Sequence, residues 1–367
     1  MTDTDIIRIR LDNQQLSATN LQTPAEVVHW MGAMQAQEYA MAKWAIALRL
    51  KNVTESTIEK EFNDGAILRT HVMRPTWHFV APEDIRWLLM LTAPRVHAAN
   101  AYMARQVEID KKLLTRTNNI IAKALEGGKF LTRTALEKIL LKNKIKIDGP
   151  KPGQKGIRLA YIMMYAELEQ LICSGPREGK QFTYALIDER VPAVKKISRE
   201  EALAKFAQRY FTSRGPVTVQ DFAYWSGLTV KDAIAGAASL DSKFIRETVN
   251  GQEYIFLPPS NKKKITLDTS FLMPDYDEYG MSYKDRSILK SKKLQGHKAS
   301  IVFNRMVVIN GLIEGTWQRT MSKNKVDVEI VPFTTLSKSQ KTTVASSVKR
   351  FQSFADLGSG KKSSRKK

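Results

Sequence analysis

The sequence predicts an α+β protein with three successive units, each running from helices into a β-hairpin, followed by a small all-β module. Three observations carry that expectation. Helix-start signals recur ahead of apolar-periodic segments, at Thr23-Pro24-Ala25-Glu26, Thr134-Ala135-Leu136-Glu137, Ser198-Arg199-Glu200-Glu201, Thr218-Val219-Gln220-Asp221 and Thr229-Val230-Lys231-Asp232. Asn250-Gly251 and Asn310-Gly311, each between alternating segments, are strong hairpin signals. From about Lys264 the hydrophobic period changes from helical to alternating.

In chain order, helices are expected at 24–34, Ala40–Leu50 and Thr54–Phe62, closed by Asp64-Gly65, and then a hairpin of Ile67–Met73 and Trp77–Ala81 around Arg74-Pro75. Helix, helix, helix, hairpin is the winged-helix order. Residues 83–108 read as two helical segments, the second opened by Pro94. A second unit follows: Thr115–Glu126 stopped by Gly127-Gly128, a helix from Thr134, a long amphipathic helix Arg158–Cys173, and a strand Gln181–Ile187. The third has helices from Ser198, Thr218 and Thr229, and a wing of Lys243–Val249 and Gln252–Leu257. The β module holds Ile301–Ile309, Leu312–Gln318 and Val326–Pro332, ahead of a terminal helix Ser337–Phe354. Domain boundaries are expected at 1–110, 111–193, 194–263 and 264–347, with 348–367 carrying the helix end and a disordered basic tail, Gly358–Lys367.

Composition narrows the function. The 367 residues include 58 Lys and Arg against 37 Asp and Glu, a net charge of +21 and a pI near 9.8. Such a surface expects a polyanion: DNA, RNA or an anionic membrane. No apolar run approaches the ~20 residues of a membrane span, and the first residues lack a signal-peptide pattern. One cysteine, Cys173, excludes an internal disulfide and a thiolate metal site. A cytoplasmic, nucleoid-associated monomer is expected, with no cofactor.

Few residues carry candidate chemistry. Met34-Gln35-Ala36-Gln37-Glu38 follows a capped helix; in an extended or looped backbone, Gln35 and Gln37 would present two amides to one side, although on spacing alone the ordinary reading is a pair of surface glutamines. The five histidines show no metal-ligand spacing, and no phosphate-cradling glycine loop or nucleophile elbow is present. Asp275-Tyr276-Asp277-Glu278-Tyr279 is an acidic cluster that fits structural salt bridges with Tyr283-Lys284-Asp285-Arg286, a substrate-facing role, or Mg²⁺ in a nuclease. The first hairpin, Arg69 to His78, places two Arg and two His beside Trp77: an ordinary wing, or one with Arg69 and Arg74 on phosphates.

Taken together these residues resemble the AlkZ-type winged-helix DNA glycosylases. The resemblance rests on Met34-Gln35-Ala36-Gln37, then Leu68-Arg69-Thr70 through Met73-Arg74, Thr76 and His78, then Leu272-Met273-Pro274 with Tyr276-Asp277-Glu278-Tyr279, and Val308, Gly311 and Gly315-Thr316-Trp317. It implies three tandem winged helices plus a C-terminal β-barrel, forming a concave basic surface for duplex DNA. It also implies monofunctional hydrolysis of the N-glycosidic bond of alkylated purines, notably N7-alkylguanine, and in some members unhooking of interstrand crosslinks. Gln35 and Gln37 match the Gln-apolar-Gln active-site signature; a sister branch has Asp where this chain has Gln37. Substrate or DNA contacts are implied for Arg69, Thr70, His71, Arg74, Thr76, His78, Asp277, Tyr279, Lys284, Arg286, Asn310, Gly311 and Trp317, with no metal. A rival reading is a non-catalytic winged-helix regulator, although the helix from Val230 is Ala/Gly-rich and poor in base-reading side chains.

Overall fold

The helix-start signals act through their side chains. In the computed structural model, which describes residues 1–258, 269–290, 303–322 and 326–356, Thr23 Oγ1 accepts the Glu26 N–H at 3.2 Å. Ser198 and Glu201 form a reciprocal capping box at 3.1 and 2.7 Å, and Thr218 and Asp221 form another at 3.0 Å each way. Thr229 accepts from Asp232 N at 3.0 Å. In the second unit of the sequence the cap is Thr132 rather than Thr134: it accepts the Ala135 N–H at 3.2 Å and the helix is Arg133–Lys142. His297, the first strand residues from 264 and the tail Gly358–Lys367 lie outside the described residues.

The chain folds as two compact units, each assembled from separated segments: Met1–Lys60, Gln208–Trp225 and Leu240–Lys367 in one, Glu61–Ala207 and Ser226–Ser239 in the other. In the first unit, the helices Asp3–Asn13, Pro24–Met31 and Tyr39–Ala47 accompany the Asn250-Gly251 hairpin, Ile245–Val249 with Gln252–Phe256. The β module is a four-stranded antiparallel sheet in the order Val326–Pro332, Leu312–Met321, Met306–Ile309, Ser270–Leu272. Among the described residues it is an open sheet rather than the expected barrel. The terminal helix Lys338–Asp356 packs on this module: Phe351 lies edge-on to Trp44 and Trp317, with ring centroids 5.1 and 4.8 Å away.

In the second unit, Leu68–Val72 pairs with Arg74–Val80 about Met73, whose φ of 66° makes the corner. The expected break at Pro94 is absent; one helix runs over Pro82–Gln106 with Pro94 inside it, a ~3 kcal/mol local cost that burial of Leu91, Ala93 and Val96 on the same helix offsets. The helices Lys111–Leu125, Arg133–Lys142 and Ile157–Leu168 bury Ile121, Leu125, Leu136, Leu140 and Ile162 in a shared core. A three-stranded sheet covers it, ordered Leu131–Thr132, Thr183–Leu186, Ile172–Ser174. The long helix expected over Arg158–Cys173 therefore ends at Leu168, Gln170 turns at φ 59°, and Cys173 lies on a strand. Gly227, at φ 71°, is the tight corner before the helix Val230–Ala238; a Cβ there would stand 2.4 Å from the Met73 carbonyl oxygen.

Candidate active site

Gly32 ends the helix Pro24–Met31 in the left-handed region, and the backbone is extended at Met34–Gln35. Gln35 is thus outside the helical geometry in which side chains at i and i+2 diverge. One buried carboxylate holds this segment. Glu278 Oε1 accepts the Gln35 N–H at 3.0 Å, while its Oε2 accepts Arg214 Nη2 at 2.8 Å, Trp225 Nε1 at 2.8 Å and Ser282 Oγ at 3.0 Å. Arg214 also donates to the carbonyls of Met31 at 2.8 Å and Ala33 at 2.9 Å, on both sides of the Gly32 turn. Its guanidinium lies 4.1 Å over the Trp225 ring. Arg214 is fully buried and Glu278 is 1% exposed. Inside a low-dielectric core such a pair is retained only because every lone pair and proton finds a partner.

The side chains of the two glutamines differ. Gln35 is half-buried, and its Oε1 is shielded from solvent with no hydrogen-bond partner among the described residues. Gln37 is exposed. A buried amide oxygen without a donor costs ~1–3 kcal/mol, so the Gln35 carbonyl is an acceptor with its capacity unused.

The carboxylates of the acidic cluster are engaged internally. Asp277 takes both oxygens to Arg49, at 2.9 and 3.0 Å, and caps the turn Glu278–Met281 by accepting the Tyr279 N–H at 2.8 Å. Arg49 is completed by Gln14 Oε1 at 2.9 Å and the Ala45 carbonyl at 2.8 Å. Asp275 pairs with Arg305 at 2.8 Å. Each carboxylate that would hold a cation already faces a guanidinium.

Several expected DNA contacts are corrected by burial. Asp277 is 1% exposed, Tyr279 is fully buried and Trp317 is 1% exposed. Burial pushes the Tyr279 phenol well above its ordinary range, so it stays a donor, to the Gly311 carbonyl at 2.6 Å. Trp317 Nε1 donates to the Met273 carbonyl at 2.8 Å. Asn310 and Gly311 take positive φ of 55° and 79°. Asn310 exchanges bonds with Thr269, at 2.8 Å from its N–H and 3.2 Å to its Oδ1. A Cβ on Gly311 would fall 2.1 Å from Ile7 Cγ2, so this turn packs on the first helix and does not project into a groove. Lys284 is exposed; Arg286 is half-buried, with Nε on the Gly280 carbonyl at 2.7 Å and Nη2 on Tyr224 Oη at 2.9 Å.

Within the second unit the first hairpin is built around stacked cations and rings. The Arg69 guanidinium sits 4.2 Å from the Trp77 ring centre and 4.5 Å from that of Phe182, and its backbone N–H donates to Ser174 Oγ at 2.8 Å. Arg69 is 7% exposed, a stacked side chain rather than an outward one. His71 Nδ1 meets the buried Glu167 carboxylate, and its ring lies 4.4 Å from Trp77. His78 Nδ1 donates to the Thr76 carbonyl at 2.9 Å, which places its proton on Nδ1. Arg74 is half-buried. The hydroxyls of Thr70 and Thr76 are buried without a partner among the described residues.

A structural use of the acidic cluster was among the expectations, but its partners, Arg214 and Arg49 in place of Lys284 and Arg286, escaped the sequence reading. The available signal was three acids inside Leu272-Met273-Pro274-Asp275-Tyr276-Asp277-Glu278-Tyr279-Gly280-Met281, an otherwise largely apolar run. Acids embedded among buried residues call for buried guanidiniums.

The chain is thus a mixed helix and strand protein with a strongly basic composition and a backbone pinned at Gln35. The sequence model of the AlkZ-like DNA glycosylases matches residues 28–354, and the chain belongs to that family; its activity class is that of a DNA glycosylase. Over 320 residues the chain is 22% identical to the interstrand DNA cross-link repair glycosylase of Streptomyces sahachiroi, covering 84% of this chain and 85% of that relative. The solved structure of the Streptomyces sahachiroi DNA glycosylase AlkZ is similar in fold, with a TM-score of 0.77 at 19% identity, covering 96% of this chain and 97% of that one. Family membership sets aside the non-catalytic regulator.

Proposed function

We propose that this glycosylase hydrolyses the N-glycosidic bond of alkylated purines of the N7-alkylguanine type in duplex DNA, interstrand crosslinks included, without a metal. The observation that carries the reading is the held backbone of Gln35 together with its unused, enclosed carbonyl oxygen. An N7-alkylated guanine is cationic, so it leaves as a neutral base and needs little protonation. Water adds its oxygen to C1′, the C1′–N9 bond breaks with its electron pair passing to the base, and the surplus proton leaves to solvent. What the protein supplies is orientation of that water and stabilisation of the oxocarbenium-like sugar. In this reading Gln35 is the fixed acceptor and Gln37, exposed, adapts to substrate. The three helix-and-hairpin units act as winged-helix scaffold, and the enzyme works as a cytoplasmic monomer.

The test is release of free base from a duplex carrying 7-methylguanine, in EDTA, for wild type, Gln35→Ala and Gln37→Ala. Wild type is expected to release base without cutting the strand, and each variant to lose about 10²–10³-fold in rate, the range for one preorganised hydrogen-bonding group. Full activity in both variants would remove the glutamines from the mechanism. No release from any alkylated duplex, crosslinked ones included, would remove the substrate class.

A further inference from the structure

We propose that Glu278 is a positioning residue for the glycosidic step, acting through the backbone of Gln35; this rests on the reading of Gln35 as a catalytic group. Four donors converge on this one carboxylate: Gln35 N–H on Oε1, and Arg214, Trp225 and Ser282 on Oε2. The Arg214 end of the pair grips Met31 and Ala33, so the two charges together hold residues 31–35 from both sides of the Gly32 turn. No side-chain partner among the described residues anchors Gln35 Oε1. The position of that oxygen is therefore set by where its backbone is pinned. A displacement of about 1 Å at a reacting group costs on the order of 10²-fold in rate, so the pin bears directly on turnover.

The donor count explains why the residue is a carboxylate. An amide in its place presents an NH₂ either to Gln35 N–H or to Arg214, Trp225 and Ser282, all of which are donors. Either orientation removes the charge that compensates the buried Arg214, and the one that turns the NH₂ toward Gln35 also frees that residue's backbone. Aspartate, one methylene shorter, cannot span the Gln35 N–H and the Arg214 guanidinium together.

The experiment measures single-turnover base release from a 7-methylguanine duplex at saturating enzyme, and Kd for the same duplex, in Glu278→Gln, Trp225→Phe, Gln35→Ala and the Glu278→Gln/Gln35→Ala double variant. Trp225→Phe keeps an aromatic ring, though a smaller one, and deletes one donor, so the test survives if Glu278→Gln fails to fold. The expected result is a rate lower by about 10²-fold in Glu278→Gln and a smaller loss in Trp225→Phe. Kd should stay within about twofold, and the double variant should be no slower than Gln35→Ala alone. A purely structural role would lower folded yield while leaving the single-turnover rate intact, or would add its loss to that of Gln35→Ala; either outcome overturns the proposal. Wild-type rate in folded Trp225→Phe, where Glu278→Gln does not fold, also overturns it. If Gln35→Ala itself is fully active, the site reading fails first and this inference falls with it; a slow Gln35→Ala beside a fast Glu278→Gln overturns the inference alone.

Discussion

Cys173 shows how a single position turns on its surroundings. It lies fully buried on the strand Ile172–Ser174, and burial pushes its thiol from 9.0 up to about 12. Between those values the unfolded chain releases a proton that the native state keeps. The unfolded state then binds fewer protons, so stability falls as pH rises. The predicted contribution is a loss of about 1.4 kcal/mol per pH unit above pH 9, present in wild type and missing in Cys173→Ser. Urea titrations at pH 8, 9 and 10 check it; parallel stability curves for the two proteins would contradict it. At the same scale Gln35 and Gln37, identical in type and two residues apart, occupy an enclosed and an open environment. Their residue types were legible in the chain, but that difference was not, because it depends on Glu278 more than 200 residues away.

Among the elements, the terminal helix Lys338–Asp356 bears on the site unit through aromatic packing. Phe351 contacts Trp44 and Trp317, Phe354 lies 5.2 Å from Trp44, and Arg350 donates to the carbonyls of Ala47, Leu48 and Leu50 at 2.9, 3.1 and 2.9 Å. Those carbonyls lie at and just past the end of the helix Tyr39–Ala47, where they add to the backbone bonds from Leu48 N–H to Trp44 and from Leu50 N–H to Ala47. Phe351→Ala is predicted to destabilise the protein by ~3–5 kcal/mol, read as a lower denaturation midpoint with an unchanged m-value. A cost under ~1 kcal/mol would mean that the helix is peripheral to the unit. The helix itself was visible in the sequence. Its role was not, since nothing local says which face of a helix meets two distant indoles.

At the scale of the whole molecule, charge dominates. A net +21 over 367 residues favours phosphate binding by counterion release. If about four phosphates are neutralised, Kd for an undamaged duplex should rise roughly 10²-fold between 50 and 200 mM salt, measurable by fluorescence anisotropy. A salt-independent Kd would contradict binding through the basic surface. The helix-and-hairpin repeats that were legible along the chain do not coincide with the compact units, each of which gathers segments from distant parts of the sequence. Compactness follows spatial contact, and contact between separated segments has no local signature.

The sequence by itself determined most of the element types, the caps at Thr23, Ser198, Thr218 and Thr229, the Asn-Gly hairpins and the basic character of the chain. These depend on properties that act within a few residues or simply add up along the chain. Tertiary structure alone decided that Asp277, Tyr279, Gly311 and Trp317 face inward, and that Arg214 and Glu278 meet beneath Gln35. A buried charge is tolerable only where its partner arrives from elsewhere in the chain. The fold had to be complete before those residues could acquire their roles.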